Sequence, residues 1–377
     1  MRVKKVLAEE ISRVLSSDVG KKDIEVPEEE GYGDFAFPVM RVDSENPRET
    51  AENAKPELQE LEVVDRVEVA GPGYLNFFLD RGKFAEETGK MLEEEGMGVE
   101  EREGSMLLEF SSPNVAHPMH IGHFRNNALG DSLQRIMRFV GYEVTSENYI
   151  GDWGTQYGKL VYAFKEFGSE ERFEEEPMEH MFDLYVRFHE KSENGEEWEE
   201  KGRKWAQKIE DGDEEAVKLW ERFREASIKY HRKDYRRMGI EFDRWTGEST
   251  VVEETEKVLD EGVEEGVFKE DEDGSVYVEF DDLPDVVLRK ADGSTLYLSR
   301  DISNLEKRVK REGFDHNLYV VGSEQKMHFR QLFRAAEMMG YDTSGCEHVS
   351  YGLLDLPEGS MSSREGRIIR LSDVMDE

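Results

Sequence analysis

The feature that most constrains the fold lies between residues 106 and 150, where an apolar run, a helical stretch and a second apolar run follow one another. Met106-Leu107-Leu108-Glu109-Phe110 is apolar on both alternating faces, the pattern of a strand covered from both sides in a parallel sheet. Phe124 to Val140 then repeats at helical spacing through Leu129, Leu133, Ile136, Met137 and Val140, and Gly141 closes it as a C-cap. Val144 to Ile150 reads as the next strand. Strand, helix and strand in this order make a βαβ unit with a right-handed crossover, which sets the class as α/β.

The rest of the chain arranges itself around that unit. Residues 1–98 read as a small α+β domain: a helix over Val3–Leu15, a short strand at Phe35–Val39, a weak helix at Asn53–Leu61 and a helix from Lys83 to Glu95. Between the last two, Val67–Ala70 leads through Gly71-Pro72-Gly73 into Tyr74–Leu79, a strand–turn–strand signal. After a charged linker, residues 105–377 form the second domain. A helical insertion is expected over about residues 165–265, anchored by Trp198, Trp205, Trp220 and Trp245. Val276–Val278 and Val286–Leu288 look like hairpin material, and Leu318–Val321, followed by a helix to Met339, returns the chain to the sheet. The expectation is a Rossmann-like parallel-sheet domain with a helical insertion, preceded by the α+β domain.

Charge and composition narrow the function. The 377 residues carry 50 Lys and Arg against 87 Asp and Glu, a formal net charge of −37. A pI near 4.7 disfavours general nucleic-acid binding, DNA included, because cationic side chains must replace phosphate counterions. A local basic groove remains compatible with it. The acid excess is spread along the chain, which favours a protein solvated for a high-salt cytoplasm over an ordinary cytosolic protein that repels acidic partners. No apolar run approaches the ~20 residues of a membrane span, and Glu9 and Glu10 interrupt any signal-peptide core. The single cysteine, Cys346, excludes an internal disulfide and a multi-cysteine zinc site. A cytoplasmic enzyme, monomeric and without a protein-bound metal, is the expectation.

The chemistry gathers in the loop from Glu109 to His123, Glu-Phe-Ser-Ser-Pro-Asn-Val-Ala-His-Pro-Met-His-Ile-Gly-His. Ligands of open parallel sheets sit where such loops leave the carboxyl ends of strands and helix N-termini aim N–H groups at anions. His120 and His123 lie one helical turn apart at that terminus, and Gly122 leaves room for a flat base. Taken alone, the pair is equally read as incidental or as half of a metal site, although no HExxH or cysteine cluster supplies further ligands.

The surrounding motifs decide between these readings. Ser112-Pro113-Asn114 leading into His120-Ile121-Gly122-His123 resembles the "HIGH" signature of class I aminoacyl-tRNA synthetases in the form carried by the arginyl-tRNA synthetase family. Further resemblances follow in that family's order: Asn148–Gln156, Leu296–Asp301, Val321–Gln325 with His328, and Met361-Ser362-Ser363-Arg364 where the "KMSKS" loop belongs. Gly33-Asp34-Phe35-Ala36 and Gly71–Asn76 resemble the family's extra N-terminal domain, so the likeness covers essentially the whole chain.

That resemblance implies an arginine–tRNA ligase: arginine is activated by ATP with Mg²⁺ to arginyl-adenylate and then transferred to the 3′ end of tRNA(Arg). His120, Gly122, His123, Met361 and Ser362 would bind ATP, and His120, His123 and Arg364 would serve the phosphoryl chemistry. Glu109, Asn114, Tyr297, Asp301 and Gln325 would hold arginine, and Asn76 would touch tRNA. A planar guanidinium calls for opposing carboxylates, which Glu109 and Asp301 supply.

Two departures stand out. Ser360 precedes Met361 where the family has lysine, and His117 stands where relatives lacking that lysine carry one; Arg364 is the nearest candidate to supply the missing charge and Lys326 a weaker one. The chain also reaches Glu377 where the family's anticodon-binding domain would begin, so that domain is expected to be absent. The alternative reading is therefore a catalytically impaired fragment that binds ATP or tRNA without aminoacylation.

Overall fold

The computed structural model describes residues 2–42, 44–93, 99, 102–192, 196–352 and 369–377. The chain divides into two units, Met1–Glu101 and Arg102–Glu377. In the first, helix α1 (Arg2–Leu15), strand β1 (Phe35–Pro38), helix α2 (Pro47–Leu58), strands β2 (Val64–Ala70) and β3 (Tyr74–Leu79) and helix α3 (Arg81–Glu93) follow in order. The strands form an antiparallel sheet in the order β1-β3-β2, whose core joins Leu7 and Ile11 of α1, Leu58 of α2 and Phe37, Val67, Leu75 and Phe77 of the strands. Asn46 caps α2 by accepting from Glu49 N at 3.4 Å, with Pro47 in the first turn, so this helix starts earlier than its apolar pattern suggests. Gly33 adopts φ +89° with the Phe77 carbonyl 2.7 Å from where a Cβ would stand, which explains the glycine of the Gly33–Ala36 motif.

The second unit is built on strands β4 (Ser105–Glu109), β5 (Glu143–Ile150), β6 (Arg244–Gly247), β10 (His316–Gly322) and β11 (Cys346–Tyr351), all parallel, in the order β11-β10-β4-β5-β6. Helix α4 (Ile121–Phe139) makes the crossover from β4 to β5, as the sequence pattern requires. Helices α5 (Thr155–Phe167), α6 (Glu170–Glu175), α7 (Pro177–Ser192), α8 (Glu196–Glu210) and α9 (Glu214–Met238) are inserted between β5 and β6. They pack on a core of their own, including Leu160, Val161, Met181, Phe188 and Phe223.

Beyond β6 come α10 (Val252–Glu264), a small antiparallel sheet of β7 (Lys269–Glu270), β8 (Val276–Val278) and β9 (Val286–Arg289), then α11 (Tyr297–Glu306), α12 (Lys326–Met338) and α13 (Leu371–Asp376). The helical insertion thus ends at Met238 rather than near residue 265. Arg244-Trp245-Thr246-Gly247 is an edge strand of the main sheet and not part of the helical bundle. Its four residues carry no apolar alternation, so only the pairing with β5 makes it a strand.

Alternation sorts the two faces of the parallel sheet. Met106 and Leu108 of β4, Phe110 just after it, and Leu318 and Val320 of β10 pack in one layer with Leu133 and Met137 of α4. Tyr319 faces the other layer, with Leu298, Ile302 and Leu305 of α11 and Leu332 of α12. Both faces are covered, as the apolar reading of Met106–Phe110 requires.

Candidate functional site

Strand order reverses between β4 and β10: the chain continues from β4 outward to β5 and β6, whereas β10 and β11 add to its other side. Ligands of open α/β sheets bind at such a switch point, beyond the carboxyl ends of the strands. A cleft of about 500 Å³ opens there, lined among others by Glu109, Asn114, His120, Gly122, His123, Glu248, Gln325 and His328.

The β4–α4 loop that forms one wall is held in unusual backbone geometry. Ser111, Ser112 and Ala116 have φ of 74°, 45° and 62°, a left-handed region costly for residues with a Cβ. Its neighbours hold it there. Asn126 of α4 accepts from Ser111 N at 2.5 Å and donates through Nδ2 to Val320 O at 2.6 Å, tying the loop to β10 across the switch point. Ser227 Oγ accepts from Ala116 N at 2.9 Å, and Val115 N donates to Gly151 O at 3.1 Å. Gly151 must lack a side chain, because a Cβ there would collide with Asn114 Oδ1.

His120 is the N-cap of α4. Its Nδ1 accepts from Gly122 N at 3.1 Å, while His123 Nδ1 accepts from His120 N at 3.2 Å, and the two rings lie 4.1 Å apart. Both Nδ1 atoms are therefore acceptors, so each neutral ring carries its proton on Nε2. Burial lowers the basicity of both imidazoles, His123 strongly, and the neighbouring histidines reinforce the effect. The pair presents two neutral N–H donors at a helix N-terminus.

The segment expected to close over the phosphates, with Met361, Ser362 and Arg364, lies outside the described residues. The residues on either side of it are placed. Arg125 Nη1 donates to Gly352 O at 2.7 Å. Ile121 N donates to Ile369 O at 3.1 Å, and Leu371 N to Met119 O at 2.8 Å. Both ends of the segment are thus fastened to the start of α4.

Glu109 of β4 and Glu248 of the turn after β6 bring carboxylates into the cleft lining, whereas Asp301 of α11 is not part of that lining and meets it only through His328. Glu109 is buried, and its Oε2 accepts from Arg308 Nη2 at 2.5 Å. Burial raises its affinity for a proton, against the pull of Arg308. Asp301, in the second turn of α11, acts electrostatically on Glu109 and is bound by His328 Nε2 at 2.7 Å. Burial opposes a charge on His328, but its bond to Asp301 and that carboxylate's charge outweigh burial and raise its pKa. Glu248, which the sequence reading did not single out, lies 3.2 Å from Arg300, and burial pushes its carboxyl up to about 8. Tyr149 is also buried, and its hydroxyl has no hydrogen-bond partner among the described residues although Asp301, Glu248 and Glu109 all act on it. These acids act together on an unsatisfied hydroxyl, and each is paired within the chain: Glu109 with Arg308, Asp301 with His328 and Glu248 with Arg300.

The structure does not bring every expected residue into this arrangement. Glu109, Asn114, His120, Gly122, His123 and Gln325 line one cleft. Tyr297 opens α11 but is 59 % exposed, with its ring 5.0 Å from the Arg300 guanidinium. Asn76, expected at a tRNA surface, is 4 % exposed in β3 between Ala36 and Glu68, so the structure does not present it as a surface contact. Among the described residues no cluster of three or more His, Cys, Asp or Glu suits a metal ion, and no helix is long and apolar enough to cross a membrane.

Comparison with known proteins gives this geometry its relatives. Residues 89–377 match the family model described as tRNA synthetases class I (R), catalytic domain, and residues 1–79 match the arginyl tRNA synthetase N terminal domain. The whole chain aligns at 38 % identity with 68 % of the arginine–tRNA ligase of Clostridium perfringens. At 37 % identity, 94 % of the chain aligns with 64 % of the ligase of Halothermothrix orenii. The chain therefore spans about two thirds of the length of these relatives. Among solved structures, the Thermus thermophilus arginyl-tRNA synthetase superposes with a TM-score of 0.72 at 22 % identity, covering 99 % of this chain and 69 % of the other. The Plasmodium falciparum enzyme gives 0.72 at 23 % identity, covering 93 % and 64 %. The parallel sheet with its switch-point cleft, the paired histidines at the start of α4 and the full-length similarity together make this chain a member of the arginyl-tRNA synthetase family of class I aminoacyl-tRNA ligases.

Proposed function

We propose that the switch-point cleft activates arginine with ATP and passes the arginyl group to the 3′ end of tRNA(Arg), the chain acting as a cytoplasmic monomer. The observation that supports this reading best is the division of one cleft into a donor half, His120 and His123 at a helix N-terminus, and an acid half, Glu109 and Glu248, to which Asp301 is joined through His328. The arginine carboxylate attacks the α-phosphate of ATP, forming the arginyl-adenylate and releasing pyrophosphate. A ribose hydroxyl at the tRNA 3′ end then attacks the carbonyl and displaces AMP. Neither step needs a protein nucleophile, so positioning and charge stabilisation carry the rate.

In this reading the Nε2–H groups of His120 and His123 donate to phosphate oxygens, and Asn114 and Gln325 offer neutral amides to the α-amino end of arginine. Glu109 and Asp301 receive the guanidinium, with Tyr297 above them at the start of α11. Arg364 supplies the cation that the family's loop lysine would provide. Mg²⁺ enters with the nucleotide, since the described residues offer it no ready-made cage.

ATP–pyrophosphate exchange, measured with each amino acid in the presence of tRNA(Arg), tests the reading. Exchange confined to arginine supports it, and binding of ATP and tRNA without exchange favours the impaired-fragment reading. Arg364→Ala is expected to lower exchange roughly 10²–10³-fold, the usual cost of one lost transition-state contact. Unchanged exchange would remove Arg364 from the mechanism.

A further inference from the structure

One row of side chains crosses the main sheet beneath the acid half of the cleft. In register across β10, β4, β5 and β6 stand Tyr319, Glu109, Glu147 and Arg244. Residues paired across neighbouring strands point to the same face, so Glu109 and Glu147 stand side by side in a buried layer. Two adjacent buried carboxylates repel, and one of them would take up a proton unless a cation intervened.

The cation is Arg308. It is 1 % exposed, and its Nη2 bonds Glu109 Oε2 at 2.5 Å and Glu147 Oε2 at the same time. Its guanidinium lies 5.2 Å from the ring of Tyr319 and 5.6 Å from that of Tyr149, an aromatic setting suited to a weakly hydrated planar cation. Glu147 also forms an ion pair with Arg244, Nε to Oε1 at 2.9 Å, and accepts from Thr246 Oγ1 at 2.8 Å, so its place is set independently of Glu109. Burial works against the charge on Glu147, yet the two arginines outweigh it and leave its pKa lowered.

Arg308 belongs to a π-helical turn, Lys307–Arg311, that continues directly from α11, the helix whose second turn carries Asp301. Single π turns inside helices are rare and mark places where a side chain has to be re-aimed. Here the turn delivers Arg308 to the sheet, so the far end of α11 is fastened to Glu109 while its second turn holds Asp301 against His328 of the cleft lining.

The geometry points to Arg308 as the positioning residue of the arginine pocket: by bridging Glu109 and Glu147 it sets the separation and orientation of Glu109 relative to Asp301, and so tunes the site to a guanidinium. This rests on the reading of Glu109 and Asp301 as the arginine-binding carboxylates. Arg308 bonds both carboxylates through Nη2 alone, and its effect on arginine passes through Glu109.

The test is calorimetric binding of arginine and of ATP to the 377-residue chain, separately, for the unaltered protein and for Arg308→Lys, Arg308→Gln, Glu109→Gln and the Glu109→Gln/Arg308→Lys double variant. Arg308→Lys keeps the charge but loses the planar fork, and is the variant expected to fold if Arg308→Gln does not. Expected is an arginine Kd at least tenfold weaker in Arg308→Lys with the ATP Kd changed less than twofold. In the Glu109→Gln background, Arg308→Lys should add less than twofold, because its effect passes through Glu109. A merely structural role would weaken both ligands together and add fully to Glu109→Gln, and either result overturns the proposal. If Glu109→Gln leaves the arginine Kd unchanged, or the unaltered chain binds no arginine, the arginine-pocket reading itself fails. If Glu109→Gln weakens arginine while Arg308→Lys does not, only the positioning role fails.

Discussion

The Nδ1 atoms of His120 and His123 both accept from backbone N–H groups, so the neutral form of each ring matters to stability as well as to the proposed binding role. Protonating either Nδ1 would remove an acceptor that holds a backbone N–H at the start of α4. His117, His120, His123 and His231 are all shifted down by burial, His231 to about 4. A depressed folded-state pKa means these groups favour the fold above the ordinary histidine value of about 6.5, an advantage lost as pH falls toward 4. His328, shifted up beside Asp301, runs in the opposite sense. The raised carboxyls of Glu248 and Asp234 oppose these histidines over the same interval, so the histidine contribution is read by difference. A His231→Gln variant should lose less melting temperature between pH 7 and pH 5 than the unaltered protein, and an identical pH profile would contradict the assignment. In the acid half, Glu248 near 8 and the raised Glu109 must both be ionised to receive a guanidinium. Arginine should therefore bind more tightly as pH rises from 6 to 8.5, with proton release detectable by calorimetry in buffers of different ionisation enthalpy. Proton uptake on binding would refute it.

Within the elements, α4 holds the site together as well as beginning it. Gly130 faces the Phe110 ring so closely that a Cβ would overlap it, which brings the helix down onto β4. Gly130→Ala should cost about 1–3 kcal/mol by overpacking, read as a lower denaturant midpoint at unchanged slope. Asn126 is a second such point: Asn126→Ala leaves the Ser111 N–H without its acceptor and removes the donor to Val320 O. A loss of about 2–4 kcal/mol is expected from unsatisfied buried groups. Arginine and ATP binding should weaken together, since the loop carrying Asn114 and His120 is released; binding that stays intact would show that the loop is held by other contacts. The same elements show what the sequence made legible. The two strands and helix of residues 105–150 were readable because burial on both faces and a 3.6-residue period leave direct marks. β6 was not, because Arg244–Gly247 has no periodic signature and becomes a strand only by pairing with β5.

For the molecule as a whole, a net charge of −37 produces self-repulsion that added salt screens. Much of the acid is exposed, as on α8, where Glu197 and Glu200 pair with Lys201 and Lys204 at the surface. Such pairs contribute little individually. The dominant effect of raising KCl from 0.1 to 2 M should therefore be a higher melting temperature. A melting temperature indifferent to salt would argue that the acidity is not an adaptation to a high-salt cytoplasm.

By itself the sequence determined the class of sheet and the order of its main elements, and it set His120 and His123 at the start of a helix, because periodicity, caps and short motifs are local and survive in one dimension. Only the tertiary structure decided how Glu109, which the motifs already pointed to, is paired. Glu109, Glu147, Arg244, Arg308 and Tyr319 are scattered over more than two hundred positions of the chain, and it is strand register that sets four of them in one row. The fifth, Arg308, arrives from a π turn that no spacing rule anticipates. Register and helix phase are set by packing of the whole layer, so the charge balance of a buried site emerges only once the layers close.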